Sequence, residues 1–232
     1  MTEVSIPTPH HQLKSYVVTP NGEGPWPGVV VLHDIFGLTD ATRKHADWLA
    51  EAGYLAVAPD LFSGGSRLRC IRALMMALSR RQGPAFEDVD AVRAWMTARP
   101  DCTGKTGVIG FCATGGFAIL LAVGHGYSAA SANYGPIPND IDAILEGACP
   151  IVGSFGGRDA TLKGAAARLE SALERRNIDH DVKEYPNAGH AFLDEHKGLV
   201  GALGVVMRAT YKAQEAADAR RRIQAFFARH LA

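Results

Sequence analysis

The residues best suited to chemistry lie in three glycine-containing turns. The first is Gly107-Val108-Ile109-Gly110-Phe111-Cys112-Ala113-Thr114-Gly115-Gly116, where an apolar run meets a thiol and then small residues, before the apolar segment 118–123. A strand-to-helix turn of this kind lifts its apical residue above a sheet, and small neighbours let strand and helix pack closely behind it. A thiol at a helix N-terminus meets a favourable dipole and free N–H groups, which stabilise a thiolate and an oxyanion. The second turn, Gly156-Gly157-Arg158-Asp159, places an acid just past another apolar run, and the third, Pro186-Asn187-Ala188-Gly189-His190, places a histidine past a third. Singly, these are a buried cysteine, a turn-forming aspartate and an ordinary histidine. Together, in this order and each just after a strand, they read as an acyl-transfer triad: nucleophile Cys112, base His190, orienting acid Asp159.

The elements that must hold these turns follow from hydrophobic pattern. Val29–Leu32, Tyr54–Ala58, Gly107–Phe111, Ala129–Ala132 and Pro150–Gly153 are short apolar runs bounded by glycine or proline, as expected of parallel strands buried on both faces. Asp179–Tyr185 alternates and suits a last strand nearer an edge. Helical periods lie between them: one capped by Thr39 or Asp40 and ended by Gly53, one over Glu87–Ala98, one over Leu162–Arg176, and a final one from about Met207 to His230. The alternation predicts one α/β domain over residues 1–232 with a mainly parallel sheet, whose carboxyl edge gathers the three turns. The loop 32–38 after the first strong strand opens on the same edge. Asp34 in it is either an acid beside the nucleophile or a helix-entry turn residue.

Composition narrows the class. The 232 residues carry 24 Lys+Arg against 24 Asp+Glu, so no basic footprint for nucleic acid or an anionic membrane is expected. No window approaches the length of a spanning apolar helix, and the N-terminus resembles no secretory signal, so a cytoplasmic protein with four free thiols is expected. The stretch Ser63–Gln82 stands apart, with Arg67, Arg69, Arg72, Arg80 and Arg81 around Leu74, Met75, Met76 and Leu78. It is an amphipathic surface helix or a lid whose arginines meet an anionic substrate.

Four separated motifs carry a family resemblance: Asp34-Ile35-Phe36-Gly37, Ala58-Pro59-Asp60-Leu61-Phe62, Gly110-Phe111-Cys112 and Ala188-Gly189-His190-Ala191-Phe192. Together they make the chain, from about residue 12 to 230, resemble the dienelactone hydrolase family. The resemblance implies an α/β-hydrolase fold with a Cys–His–Asp triad, Cys112, His190 and Asp159, acting without cofactor or metal on a small ester or lactone. It implies backbone N–H groups of Ile35 and Ala113 as oxyanion donors, with Asp34 auxiliary. Three departures from the family pattern matter. Asp34 replaces a glutamate one methylene longer, and Thr114 replaces a glycine. Asp194 stands where one of two carboxylate-clamping arginines would be; the other falls within 63–82. An acid at 194 implies a like charge near the cleft and preference for neutral substrates.

Other readings are open on the sequence. Ser131 or Ser154 could serve a serine esterase, although neither lies on a glycine-flanked elbow. Cys112 could be a reactive thiol of a binding or redox-sensing protein on the same fold. His33, Asp34, His190 and His196 could hold a metal, although their spacing matches no common signature. Substrate contacts and oligomeric state are not legible.

Overall fold

A computed structural model describes residues 1–195 and 210–232. In chain order the described elements are β1 (Thr2–Pro7), β2 (Gln12–Val18), β3 (Trp26–Leu32), α1 (Asp40–Glu51), β4 (Leu55–Pro59), α2 (Arg67–Arg80), α3 (Pro84–Thr97) and β5 (Cys102–Phe111). They continue with α4 (Ala113–Leu121), β6 (Ala129–Asn133), α5 (Ile141–Ile144), β7 (Ile151–Gly156), a single 3-10 turn (Ala160–Leu162), α6 (Ala165–Arg175), β8 (His180–Tyr185) and α7 (Ala213–Leu231).

The strands form one eight-stranded sheet in the order β1-β2-β4-β3-β5-β6-β7-β8. From β4 to β8 every pairing is parallel, while β1 and β2 join antiparallel at one edge. Strand side chains alternate between faces, and both faces are covered. Val29 and Val31 of β3 face a layer containing Leu49 of α1 and Ile223 and Phe227 of α7. Val30 and Leu32 face the opposite layer, with Val92 of α3, Phe117 of α4 and Leu169 of α6. Two-sided burial explains why the central strands are unbroken apolar runs. An α/β architecture with a mainly parallel sheet is therefore the observed one, and Asp179–Tyr185 is indeed an edge strand.

Several local expectations need correction. The β1–β2 hairpin was not anticipated, because its polar-apolar mixing over short segments hides the buried pair Ile6 and Leu13. Helix α3 starts at Pro84, with proline in its first turn, rather than at Glu87. Leu162 belongs to the 3-10 turn, and α6 begins only at Ala165. Residues 210–212 are not helical, so the last helix starts at Ala213 rather than 207; residues 207–209 lie outside the described residues. Thr39 occupies the cap position of α1 without a side-chain capping bond.

Within Ser63–Gln82, residues Arg67–Arg80 form an amphipathic surface helix, α2, that buries only Leu74 and Ala77 and leaves Leu68 72%, Met75 49% and Met76 46% exposed. Its first arginine, Arg67, donates to Ile35 O at 3.2 Å, while Arg81 just past its end grips Asp140 at 2.6 and 2.7 Å. All four cysteines are free, and no described helix is long and apolar enough to cross a membrane.

One hydroxyl ties the central strands together below the cysteine. Phe111 N–H donates to Thr114 Oγ1 at 2.9 Å, and that hydroxyl lies 3.1 Å from Leu32 O and 2.9 Å from Phe111 O. Thr114 is fully buried. Thr114→Val keeps the shape but strands the Phe111 N–H, which should cost ~1–3 kcal/mol. The check is a denaturant titration: the midpoint should fall with an unchanged slope. An unmoved midpoint would show that the brace adds nothing.

Candidate active site

Cys112 follows β5 directly and caps α4, with φ 57° and ψ −127°. A non-glycine residue in this region costs on the order of 1–3 kcal/mol and persists only where its surroundings over-determine it. Here they do. Cys112 N–H donates to Asn133 O at 3.1 Å, and Gly115 N–H donates to Cys112 O at 2.9 Å. A Cβ on Gly110 would stand 1.9 Å from Thr114 O, and one on Gly115 would stand 2.6 Å from Asn133 O. Neither position tolerates a side chain without moving backbone, so these glycines set how closely α4 approaches the strands.

The acid and the base come from adjacent parallel strands. Gly156 of β7 pairs with Tyr185 of β8, so Asp159 and His190 leave the sheet side by side. The two loops touch: a Cβ on Gly156 would lie 2.3 Å from Gly189 O, and Arg158 N–H donates to Ala188 O at 2.9 Å. Asp159 Oδ2 meets His190 Nδ1 at 2.6 Å. Its other oxygen accepts from Thr161 N–H at 3.0 Å and Thr161 Oγ1 at 2.6 Å. Burial pushes this carboxyl upward, but the bonds from His190 and Thr161 outweigh it and hold Asp159 below the usual carboxylate range. For His190, burial disfavours the charged ring; the bond to Asp159 and the neighbouring Cys112 sulfur outweigh it and raise the imidazole to about 10. Asp159 and His190, 31 positions apart in the sequence, are thus joined by a hydrogen bond, with the Cys112 sulfur close enough to act on the ring.

The loop 32–38 is braced from behind. His33 is fully buried; its Nδ1 donates to Asp34 O at 2.6 Å, and its Nε2 accepts from Leu61 N–H at 3.0 Å. With one nitrogen donating and the other accepting, the ring is neutral, and burial lowers its proton affinity accordingly. Asp34 Oδ1 accepts from Phe36 N–H at 2.7 Å, the geometry of a turn-forming aspartate. Among the described residues, neither Ile35 N–H nor Ala113 N–H donates to a protein acceptor; Ala113 opens α4, where helix geometry leaves the N–H unused.

Other candidates separate out. Ser131 and Ser154 are fully buried inside β6 and β7, away from any turn. His33 is committed to its two backbone partners, and His196 lies outside the described residues. Among the described residues, no group of three or more His, Cys, Asp or Glu is arranged to hold a metal. Asp194 corrects an expectation: only 5% exposed, it accepts from Tyr134 Oη at 2.7 Å and pairs with His45 Nε2 at 2.7 Å. It does not present an open charge to a ligand, so the expected repulsion of anionic substrates loses its basis. Tyr134 and His45 were missed in the sequence; a tyrosine one residue past a buried strand was the available signal.

Comparison with known proteins gives a consistent outcome. The model of the dienelactone hydrolase family matches residues 13–231. A Yersinia pestis protein provisionally named a carboxymethylenebutenolidase is 28% identical, over 98% of this chain and 88% of its own. The crystal structure of a provisionally named dienelactone hydrolase from Klebsiella pneumoniae superposes with a TM-score of 0.80 at 28% identity, covering 98% of this chain and 97% of that one. An acylaminoacyl peptidase of Pyrococcus horikoshii shares the fold alone, with a TM-score of 0.74 at 12% identity over 99% of this chain and 41% of its own.

The raised histidine has a consequence for stability. Folding lifts His190 from its ordinary 6.5 to about 10, so the folded protein keeps a proton that the unfolded chain loses. This contribution is complete below the unfolded value of 6.5 and disappears as pH rises through about 10. Chemical denaturation across that window should show a shallower decline for His190→Gln than for wild type. Parallel curves would contradict the hydrogen-bonding described.

Proposed function

Because the chain belongs to the dienelactone hydrolase family, we propose that this hydrolase cleaves a small ester or lactone with Cys112 as nucleophile, through a thioester acyl-enzyme. The single observation carrying this reading is the Asp159–His190 pair set beside the Cys112 thiol, itself at the apex of a strained strand-to-helix turn.

The proposed reaction has two halves. His190 takes the Cys112 proton, and the thiolate sulfur attacks the substrate carbonyl carbon. The carbonyl oxygen becomes an oxyanion, held by the N–H groups of Ile35 and Ala113. Collapse breaks the bond to the alcohol oxygen, which leaves with the proton from His190; in a lactone it remains tethered to the acyl group. His190 then takes a proton from water, the hydroxide attacks the thioester, and the carboxylic acid leaves as the thiol is restored. Asp159 fixes the ring so that Nε2 faces the sulfur and stabilises the imidazolium. Asp34 shapes the turn that presents Ile35 N–H. Asp159 favours the charged form of the ring, which helps His190 hold the proton taken from Cys112 while the sulfur attacks.

The test is turnover of a panel of activated esters and lactones, each with and without a carboxylate. Cys112→Ala and His190→Ala should each lose at least ~10³-fold in kcat, and the double variant should be little worse, since residues acting as a unit are non-additive. Intact-mass measurement during turnover should find an acyl adduct on wild type. Unimpaired turnover by Cys112→Ala would sink the mechanism.

Thiol selectivity gives an independent check. Burial pushes Cys149 up to about 12, and burial together with Asp60 raises Cys70. Brief iodoacetamide treatment should therefore modify Cys112 ahead of Cys70 and Cys149 and abolish activity in step. Labelling elsewhere with activity intact would count against the assignment.

A further inference from the structure

A second polar chain lies against His190 of the candidate triad and has no part in the scheme above. It joins three elements distant in sequence: His45 in α1, Tyr134 just past β6, and Asp194 after the histidine loop. All three are nearly excluded from solvent, at 2%, 0% and 5% exposure. Tyr134 Oη donates to Asp194 Oδ2 at 2.7 Å, and Asp194 Oδ1 meets His45 Nε2 at 2.7 Å. His45 Nδ1 is buried without a hydrogen-bond partner. A carboxylate oxygen accepts, so His45 Nε2 donates in the bond to Asp194.

Each end of this chain touches the catalytic apparatus through a ring. Tyr134 meets the His190 ring edge-to-face, with centroids 5.4 Å apart and planes at 63°. His45 stacks flat on Phe111, the residue before Cys112, at 4.0 Å and 10°. Tyr134 itself sits at φ 40°, a strained backbone held by its burial and its bond to Asp194. Asp159 holds the His190 ring at one atom, Nδ1, and one hydrogen bond leaves the ring able to swing about that point. A rigid neighbour against the ring is what restricts the swing.

We propose that Tyr134, locked by Asp194 and His45, is a positioning residue that keeps His190 within reach of the Cys112 thiol, a role that rests on the cysteine-hydrolase reading. Its physical content is orientation. Small displacements of a base from its near-attack geometry cost rate while ground-state binding is little affected.

The experiment compares Tyr134→Phe, Asp194→Asn, the double variant, His45→Gln and His45→Leu with wild type, all at a temperature where circular dichroism shows each folded. Tyr134→Phe and Asp194→Asn should each lower kcat by ~10- to 100-fold with KM nearly constant. The double variant should be no worse than the more damaging single change. His45→Gln, which keeps an N–H donor for Asp194, should retain more kcat than His45→Leu. Iodoacetamide inactivation of Cys112, which needs no substrate turnover, should slow in the same order. Folded Tyr134→Phe and His45→Leu with wild-type kcat and wild-type inactivation rate overturn the proposal, even if their melting temperatures fall. Cys112→Ala run in parallel separates the two ideas. If it is inactive while Tyr134→Phe matches wild type, only the positioning role fails; if it retains full activity, both fail.

Discussion

The left-handed backbone of Cys112 is the constraint on which the rest of the site depends. A residue held at φ 57° needs its neighbours fixed from several sides. Asn133 O takes its N–H from the adjacent strand, and Thr114 ties the end of β5 to the end of β3. Gly110 and Gly115 admit backbone where any Cβ would collide. The same contacts bring α4 close against the sheet, with Ala113 as its first residue. Strain at one residue and close packing of three strands are therefore one feature seen from two directions.

Parallel pairing then delivers the remaining groups. Because β7 and β8 run in register, the loops that follow them emerge together, and Gly156 lets their backbones touch. Asp159 and His190 meet without either loop needing a long excursion. The electrostatics follow from that contact. A buried carboxylate with three donors remains ionised, and a ring between that carboxylate and a thiol holds its proton tightly. His33 contributes in a quieter way, joining the loop after β3 to the loop after β4 through its two nitrogens.

The buried carboxylate of Asp194 shows how a single position can change meaning with context. At a cleft wall it would bias the site by charge. Turned inward, between a phenol and an imidazole, it becomes an anchor for rings instead. A positive group at the loop after β3 is contributed by α2, where Arg67 reaches Ile35 O from a helix with little of its surface buried.

Much of this was legible in the sequence. Apolar burial leaves a local, periodic trace, so the central strands, most helices and the turns bearing Cys112, Asp159 and His190 could be read from short windows. The edge hairpin β1–β2 and the start of α7 were not, because short mixed segments and helix ends carry weak periodicity. What only the tertiary structure decided is which polar groups pair. His45 and Asp194 are 149 residues apart, Tyr134 and Asp194 are 60 apart, and His33 and Leu61 are 28 apart. A hydrogen bond across such separations has no repeat and no composition to announce it, since the cost of burying each group is offset only by a partner that folding supplies.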